Sequence, residues 1–203
     1  MSSNTTPPRR LITAEDLFRF RLPADPQLSP DGSRIVYVVQ WTDLEENQYF
    51  TNLHVIGTDG SGARQFTRGN HRDSNPRWSP DGTRLAFLSD RSDRSQLWCI
   101  PVDGGEAEAL TDLEEGSIGE FHWSPDGTRI AFTFRPKPEW ARKSAREERE
   151  KQHRCPPPLV VRRLHYREEG GGYIGDERRH VFVLDLATRK VRQLTSGETD
   201  QDS

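Results

Sequence analysis

The chain has 203 residues, and a hydrophobic share of 32% beside 30% charged residues, with a mean hydropathy of −0.89, argues against one large core and for many short strands joined by polar turns. A formal net charge of −3 gives no polyanion-binding surface, so no nucleic-acid partner is expected. No apolar run approaches the length of a membrane span and Met1 to Arg10 lacks the hydrophobic centre of a signal peptide, so no membrane partner is expected and the location is read as cytoplasmic.

Residues 1–12 read as a disordered tail, and residues 13–25 as a short helix with its lead-in. Thr13 is an N-cap residue, Glu15 and Asp16 lie in the first turn, Leu17, Phe18 and Phe20 supply an apolar face, and Pro23 is the expected stop. A repeat follows. Leu28-Ser29-Pro30-Asp31-Gly32-Ser33-Arg34 returns as Trp78-Ser79-Pro80-Asp81-Gly82-Thr83-Arg84 and as Trp123-Ser124-Pro125-Asp126-Gly127-Thr128-Arg129. The copies start about 50 and about 45 residues apart, the period of four-stranded propeller blades.

Turn chemistry explains the residue types. Pro30, Pro80 and Pro125 preset a backbone angle, Asp31, Asp81 and Asp126 can bond their own backbone, and Gly32, Gly82 and Gly127 tolerate the left-handed conformation of a bulged hairpin. Each copy is followed by a β-branched or aromatic run, such as Ile35 to Val39, and therefore reads as the tip of a hairpin. A calcium loop would need a spaced run of further oxygen ligands, and none surrounds the three aspartates.

The expected fold is all-β: a partial propeller of three four-stranded antiparallel blades. Blade one covers residues 26–67, blade two 68–111 and blade three 112–195, closing at Thr67, Thr111 and Thr195. The distance from turn serine to closing threonine grows by about 39 residues in blade three, which marks an insertion at about 135–179. Within it, Trp140 to Arg154 reads as a charged, solvated helix with Glu139 and Lys143, and Glu147 and Lys151, four residues apart. Leu159-Val160-Val161 and Leu164-His165-Tyr166 read as extended, and Gly170-Gly171-Gly172 as a flexible link. The same spacing puts a fourth turn serine near 207 or 208, so residues 196–203 read as a truncated linker to a missing fourth blade, and the chain as part of a longer protein. Open blade edges favour association, so an oligomer is a further expectation.

The repeats, the opening Leu11-Ile12-Thr13-Ala14-Glu15-Asp16-Leu17, and Arg163-Leu164-His165-Tyr166-Arg167 followed by glycines and Arg178-Arg179-His180-Val181-Phe182-Val183 resemble the N-terminal propeller of the prolyl oligopeptidase family. Within that family the acylaminoacyl-peptidase and dipeptidyl-aminopeptidase-like branch is the most similar, and the repeats are also TolB-like. The resemblance implies a seven- or eight-bladed propeller that admits peptide substrates to a Ser-Asp-His site in a C-terminal α/β-hydrolase domain of the parent chain. This chain has no Gly-x-Ser-x-Gly elbow, so no catalytic residue is assigned to it. Arg189 stands in a turn where that family usually has glycine.

Other candidates are weaker. His71, Asp73 and Ser74 contain the residue types of a triad, but neighbours on one loop cannot converge as a relay. His122 reads as a strand residue. His153 with Cys155 is half a zinc site, Cys99 reads as a small core residue, and no metal or cofactor is expected. Arg163, Tyr166 and Arg167, with Arg162, can fork onto a peptide carboxylate or form an interface between domains; ion pairing with Glu168, Glu169, Asp176 and Glu177 is the simpler reading. Trp78 and Trp123 hold one repeat position, which argues for packing between blades. The function expected is a non-catalytic gate or scaffold of a serine peptidase, and the alternative is a TolB-like protein-binding module.

Overall fold

Strands β1 (Leu22–Leu28), β2 (Arg34–Asp43), β3 (Gln48–Gly57) and β4 (Arg64–Gln65) form an antiparallel meander in that order. The second sheet repeats it with β5 (Ser74–Trp78), β6 (Arg84–Ser89), β7 (Gln96–Pro101) and β8 (Glu108–Ala109). The third starts with β9 (Gly116–Trp123) and β10 (Arg129–Pro136). Helix α1 (Lys143–Lys151) and a ribbon of β11 (Arg167–Glu168) and β12 (Gly172–Tyr173) intervene before β13 (His180–Asp185) and β14 (Lys190–Gln193), giving the order β9-β10-β13-β14. This computed structural model describes residues 10–158, 160, 167–168, 172–173 and 176–201. Its three sheets are blades of a propeller that does not close on itself.

Period-two alternation builds two cores. On β6, Leu85 and Phe87 point to the first sheet and pack with Val36, Val38, Leu53 and Val55, while Ala86 and Leu88 point to the third and pack with Phe121, Ile130, Phe132 and Leu184. The middle sheet is therefore apolar on both faces. The third sheet buries one face, and the first buries that face together with Val39, Phe50 and Asn52 at one end of the other.

Each Ser-Pro-Asp-Gly turn closes on itself. Gly32, Gly82 and Gly127 have φ of 72°, 70° and 68°, and each donates its N–H to the carbonyl of its turn serine, a tight turn ending in a left-handed glycine. The serine hydroxyl donates to the aspartate and accepts the N–H of the arginine five residues on, at 2.9 Å in all three copies. Those carboxylates are held down to about 2, first by the serine hydroxyl and then by the backbone or side chain of the residue two positions on.

The closing threonines share a second device. The Oγ1 atoms of Thr67, Thr111 and Thr195 accept the N–H groups of Leu53, Leu97 and Val181 at 2.9, 3.0 and 2.9 Å. A hydroxyl thus stands in for a ladder carbonyl where each short outer strand leaves its sheet.

The helical expectations need correction. Ala14–Arg19 is a 3-10 helix with no buried residue, and the chain turns extended at Phe20, ahead of Pro23. Pro23 lies inside β1, opposite Val39, which an edge strand permits. In the insertion, a 3-10 turn at Glu139–Ala141 and α1 are separate, because Arg142 between them is extended with ψ of 152°. Glu139 and Lys143 therefore share no helix. Residues 1–9, 159, 161–166, 169–171, 174–175 and 202–203, which include the extended stretch expected at Leu164-His165-Tyr166 and two glycines of the predicted link, lie outside the described ones.

Candidate functional site

In a meander the start of the first strand, the link from second to third and the exit of the fourth lie at one end of the sheet. The Ser-Pro-Asp-Gly turns lie at the other. The lead-in, the insertion and the connections between sheets thus gather at the end where the chain enters. Leu11, Ile12, Leu17, Phe20 and Leu22 are all exposed along that lead-in. So long an apolar run, left in water, is the kind of surface that another protein layer covers.

The base of the insertion borders the same end. A cleft of about 650 Å³ opens there between the β6–β7 loop and α1, with Arg94, Glu115, Lys137, Lys143, Ser144 and Glu147 among its walls. Glu115 organises it. One carboxylate oxygen accepts the Lys143 N–H at 2.7 Å and the other lies 3.3 Å from the Lys137 ammonium. That acid satisfies a donor at the open N-terminus of α1, and the Lys143 N–H is the main reason its pKa is lowered. Arg142 pairs with Glu114, and Arg94 with Asp112. No residue of α1 is buried, so the arm is solvated along its length and tied at its root.

Arg163 and Tyr166 lie outside the described residues, so their proposed partnership is not part of the observed geometry. Arg167 is exposed on β11, opposite Tyr173 of β12. Among the described residues no group of three His, Cys, Asp or Glu side chains is placed to hold a metal. Cys99 is buried, and burial pushes its thiol up to about 11, so it is protonated and inert at neutral pH.

Asp73 is wholly buried and taken up by Arg91, whose Nη2 and Nε reach the two carboxylate oxygens at 2.6 and 3.2 Å. The guanidinium also lies over the Phe87 and Trp98 rings. That carboxylate is committed to structure and unavailable to orient a histidine. It anchors the connection between the first two sheets, where Thr51 of β3 exchanges backbone hydrogen bonds with His71 and Asp73.

Neither this pair nor the role of Arg189 is legible in the residue order alone. Arg189 adopts φ of 57°, the left-handed region that favours glycine. Its guanidinium reaches back to the second sheet, 2.9 Å from Glu108 and 3.2 Å from the Ala109 carbonyl, and these contacts offset the backbone cost. The unusual arginine was the available signal.

A family model described as TolB beta propeller domain matches residues 19–152. An uncharacterized peptidase, YuxL, of Bacillus subtilis strain 168 is 34% identical over 194 residues, which is 95% of this chain and 29% of the relative. Dipeptidyl-peptidase 5 of Porphyromonas endodontalis is 35% identical over 92 residues, 45% of this chain and 13% of that protein. Among solved structures, the acylaminoacyl peptidase of Pyrococcus horikoshii superposes with a TM-score of 0.68 at 18% identity, over 88% of this chain and 25% of that one, a likeness of fold. The chain spans less than a third of the length of each of these three proteins.

Proposed function

This chain belongs to the TolB beta propeller domain family, and from that premise we propose that it is the non-catalytic propeller segment of a serine peptidase, a gate and scaffold beside an α/β-hydrolase domain. The observation that carries the reading is the match to a peptidase along 95% of the chain, joined to an exposed apolar lead-in and a rooted charged arm at the same end of the sheets. The hydrolase domain covers that end, Leu17, Phe20 and Leu22 pack under it, and the insertion stands at the margin where peptides pass. Arg163, Tyr166 and Arg167 belong to that margin. By itself the chain hydrolyses nothing.

The test uses a parent protein that carries both domains. Replacing Leu17 and Phe20 by serine should loosen the hydrolase domain, read as an earlier, separate unfolding transition. Alanine at Arg163 and Arg167 should change turnover of long peptides more than of short ones. If both variants keep wild-type domain association and turnover, the gate reading fails and the chain is better regarded as a TolB-like protein-binding module.

A further inference from the structure

Helix α1 lacks what a helix needs to stand alone. It has 9 residues, no buried side chain and no acid in its first turn, which opens with Lys143, a cation at the end where the helix dipole is positive. Its N-cap residue, Arg142, makes no side-chain cap bond. A helix this short, without a packed face or a cap of its own, is marginal in water. Its cap is supplied by the body of the protein: the Glu115 carboxylate, 28 residues earlier in the chain, accepts the Lys143 N–H at 2.7 Å. Among the described residues, the hydrogen bonds and ion pairs that tie α1 to the sheets all lie at this junction, where Arg142 also pairs with Glu114 and donates from Nε to the Lys137 carbonyl at 3.2 Å.

The two sides of the junction are held differently. Glu115 is fixed to the third sheet: its carbonyl accepts the Lys137 N–H at 2.7 Å, and the next residue, Gly116, lies so close to the core ring of Phe134 and the Arg135 carbonyl that an added methyl group would stand 2.5 Å from each. Arg142 is a single extended residue between the 3-10 turn and α1, with φ of −63° and ψ of 152°. Rotation about its backbone moves α1 while the turn at Glu139–Ala141 stays in place. The helix is also one wall of the cleft, with Ser144 and Glu147 on its side and Ser92 and Ser95 on the side of the β6–β7 loop.

We propose that α1 is a lid governed by one carboxylate. While Glu115 caps it, α1 is helical and walls the cleft. When Glu115 is withdrawn, the first turn unwinds, the arm swings at Arg142, and the cleft opens toward the end where the chain enters. Order in the arm is conditional on docking, whereas the sheets beneath keep theirs. The inference holds whether or not the chain serves a peptidase.

The experiment uses the full chain. With Cys155→Ser and with Cys99 buried, spin labels go only to Ser95→Cys and Glu147→Cys on the two walls. A single narrow distance is expected with Glu115 present, and a broader, longer distribution with Glu115→Ala. In the unlabelled chain, Glu115→Ala should make amide exchange at Ala145 to Glu148 about 5-fold faster, the size of one lost N-cap, while Ile130 and Phe132 in β10 exchange as before. Glu115→Gln keeps an acceptor oxygen and should stay within about 2-fold of the original rate. Adding Arg142→Asp to Glu115→Ala gives α1 a cap of its own and should slow the exchange again. An unchanged distance or unchanged α1 exchange in Glu115→Ala overturns the proposal, and so does failure of Arg142→Asp to restore protection. Faster exchange in β10 overturns it too, because the blade and not the lid would then have loosened.

Discussion

The first and second sheets are made from the same repeat and similar residues, yet they use them differently. Strand β6 buries every residue from Leu85 to Ser89, because the other sheets cover both its faces. Strand β2 is as apolar over Ile35 to Val39, but Val36 and Val38 fill the core while on the other face only Val39 is buried and Ile35 and Tyr37 are half-buried. On that open side Tyr37 lies against His54, Trp41 lies against Phe50, and the Trp41 indole donates to Asn52 at 2.9 Å. His54 keeps a lowered pKa from partial burial alone. Apolar residues at alternate positions are thus necessary for a core, and the neighbouring sheet decides which half of them becomes one.

The largest test of this contrast is paired truncation. Phe87→Ala should cost about 3–5 kcal/mol, since the ring is enclosed by two sheets and leaves a cavity. Tyr37→Ala on the uncovered face should cost about 1 kcal/mol or less. Denaturant unfolding of both variants checks the ratio, and equal losses would mean that the first sheet's open face is covered in solution.

Next come the charges. Asp73→Ala leaves a half-buried Arg91 without its carboxylate and should cost about 2–4 kcal/mol, whereas Asp112→Ala, which frees an exposed Arg94, should fall within about 0.5 kcal/mol of wild type. Chemical denaturation at two salt concentrations separates the cases, because screening moves only the exposed pair.

A smaller effect is expected at the closing threonines. Thr111→Val removes the acceptor of the buried Leu97 N–H and should cost about 1–3 kcal/mol, with Thr111→Ser recovering most of it. Thr195→Val, at the outermost described sheet, should cost less, because water can reach the Val181 N–H there. Amide exchange at Leu97 and Val181 reads each loss directly.

The mildest test is of pH. Asp31, Asp81 and Asp126 have folded pKa values near 2, below the unfolded value of about 3.9. A depressed carboxylate contributes stability that is fully present above the unfolded value and lost as pH falls toward 2. Serine-to-alanine changes at Ser29, Ser79 and Ser124 remove the first cause of that depression and should flatten the fall in thermal midpoint between pH 4 and pH 2. An unaltered acid limb would show that other carboxylates govern it.

Much of the fold was legible in the chain, because the repeat's spacing and its alternating strands predict four-stranded antiparallel sheets. The hydrogen bonds of Ser79, Asp81 and Arg84 all lie within six residues, so residue type and order specify them. The candidate site was less legible. Glu115 meets Lys143 across 28 residues, Asp73 meets Arg91 across 18 and Trp78 meets a backbone carbonyl 51 residues away. A carbonyl has no residue type to read, and a carboxylate on a loop looks the same whether it faces water or a guanidinium.

The sequence by itself determined the turns, the strand alternation and the place of the insertion, since each depends on backbone preferences and bonds formed within a few residues. Only the tertiary structure decided which face of each sheet is core, which acid roots the insertion and which backbone carbonyl the Trp78 and Trp123 indoles meet. Those outcomes depend on contacts between sheets, and their energies exist only once burial has removed the competing water.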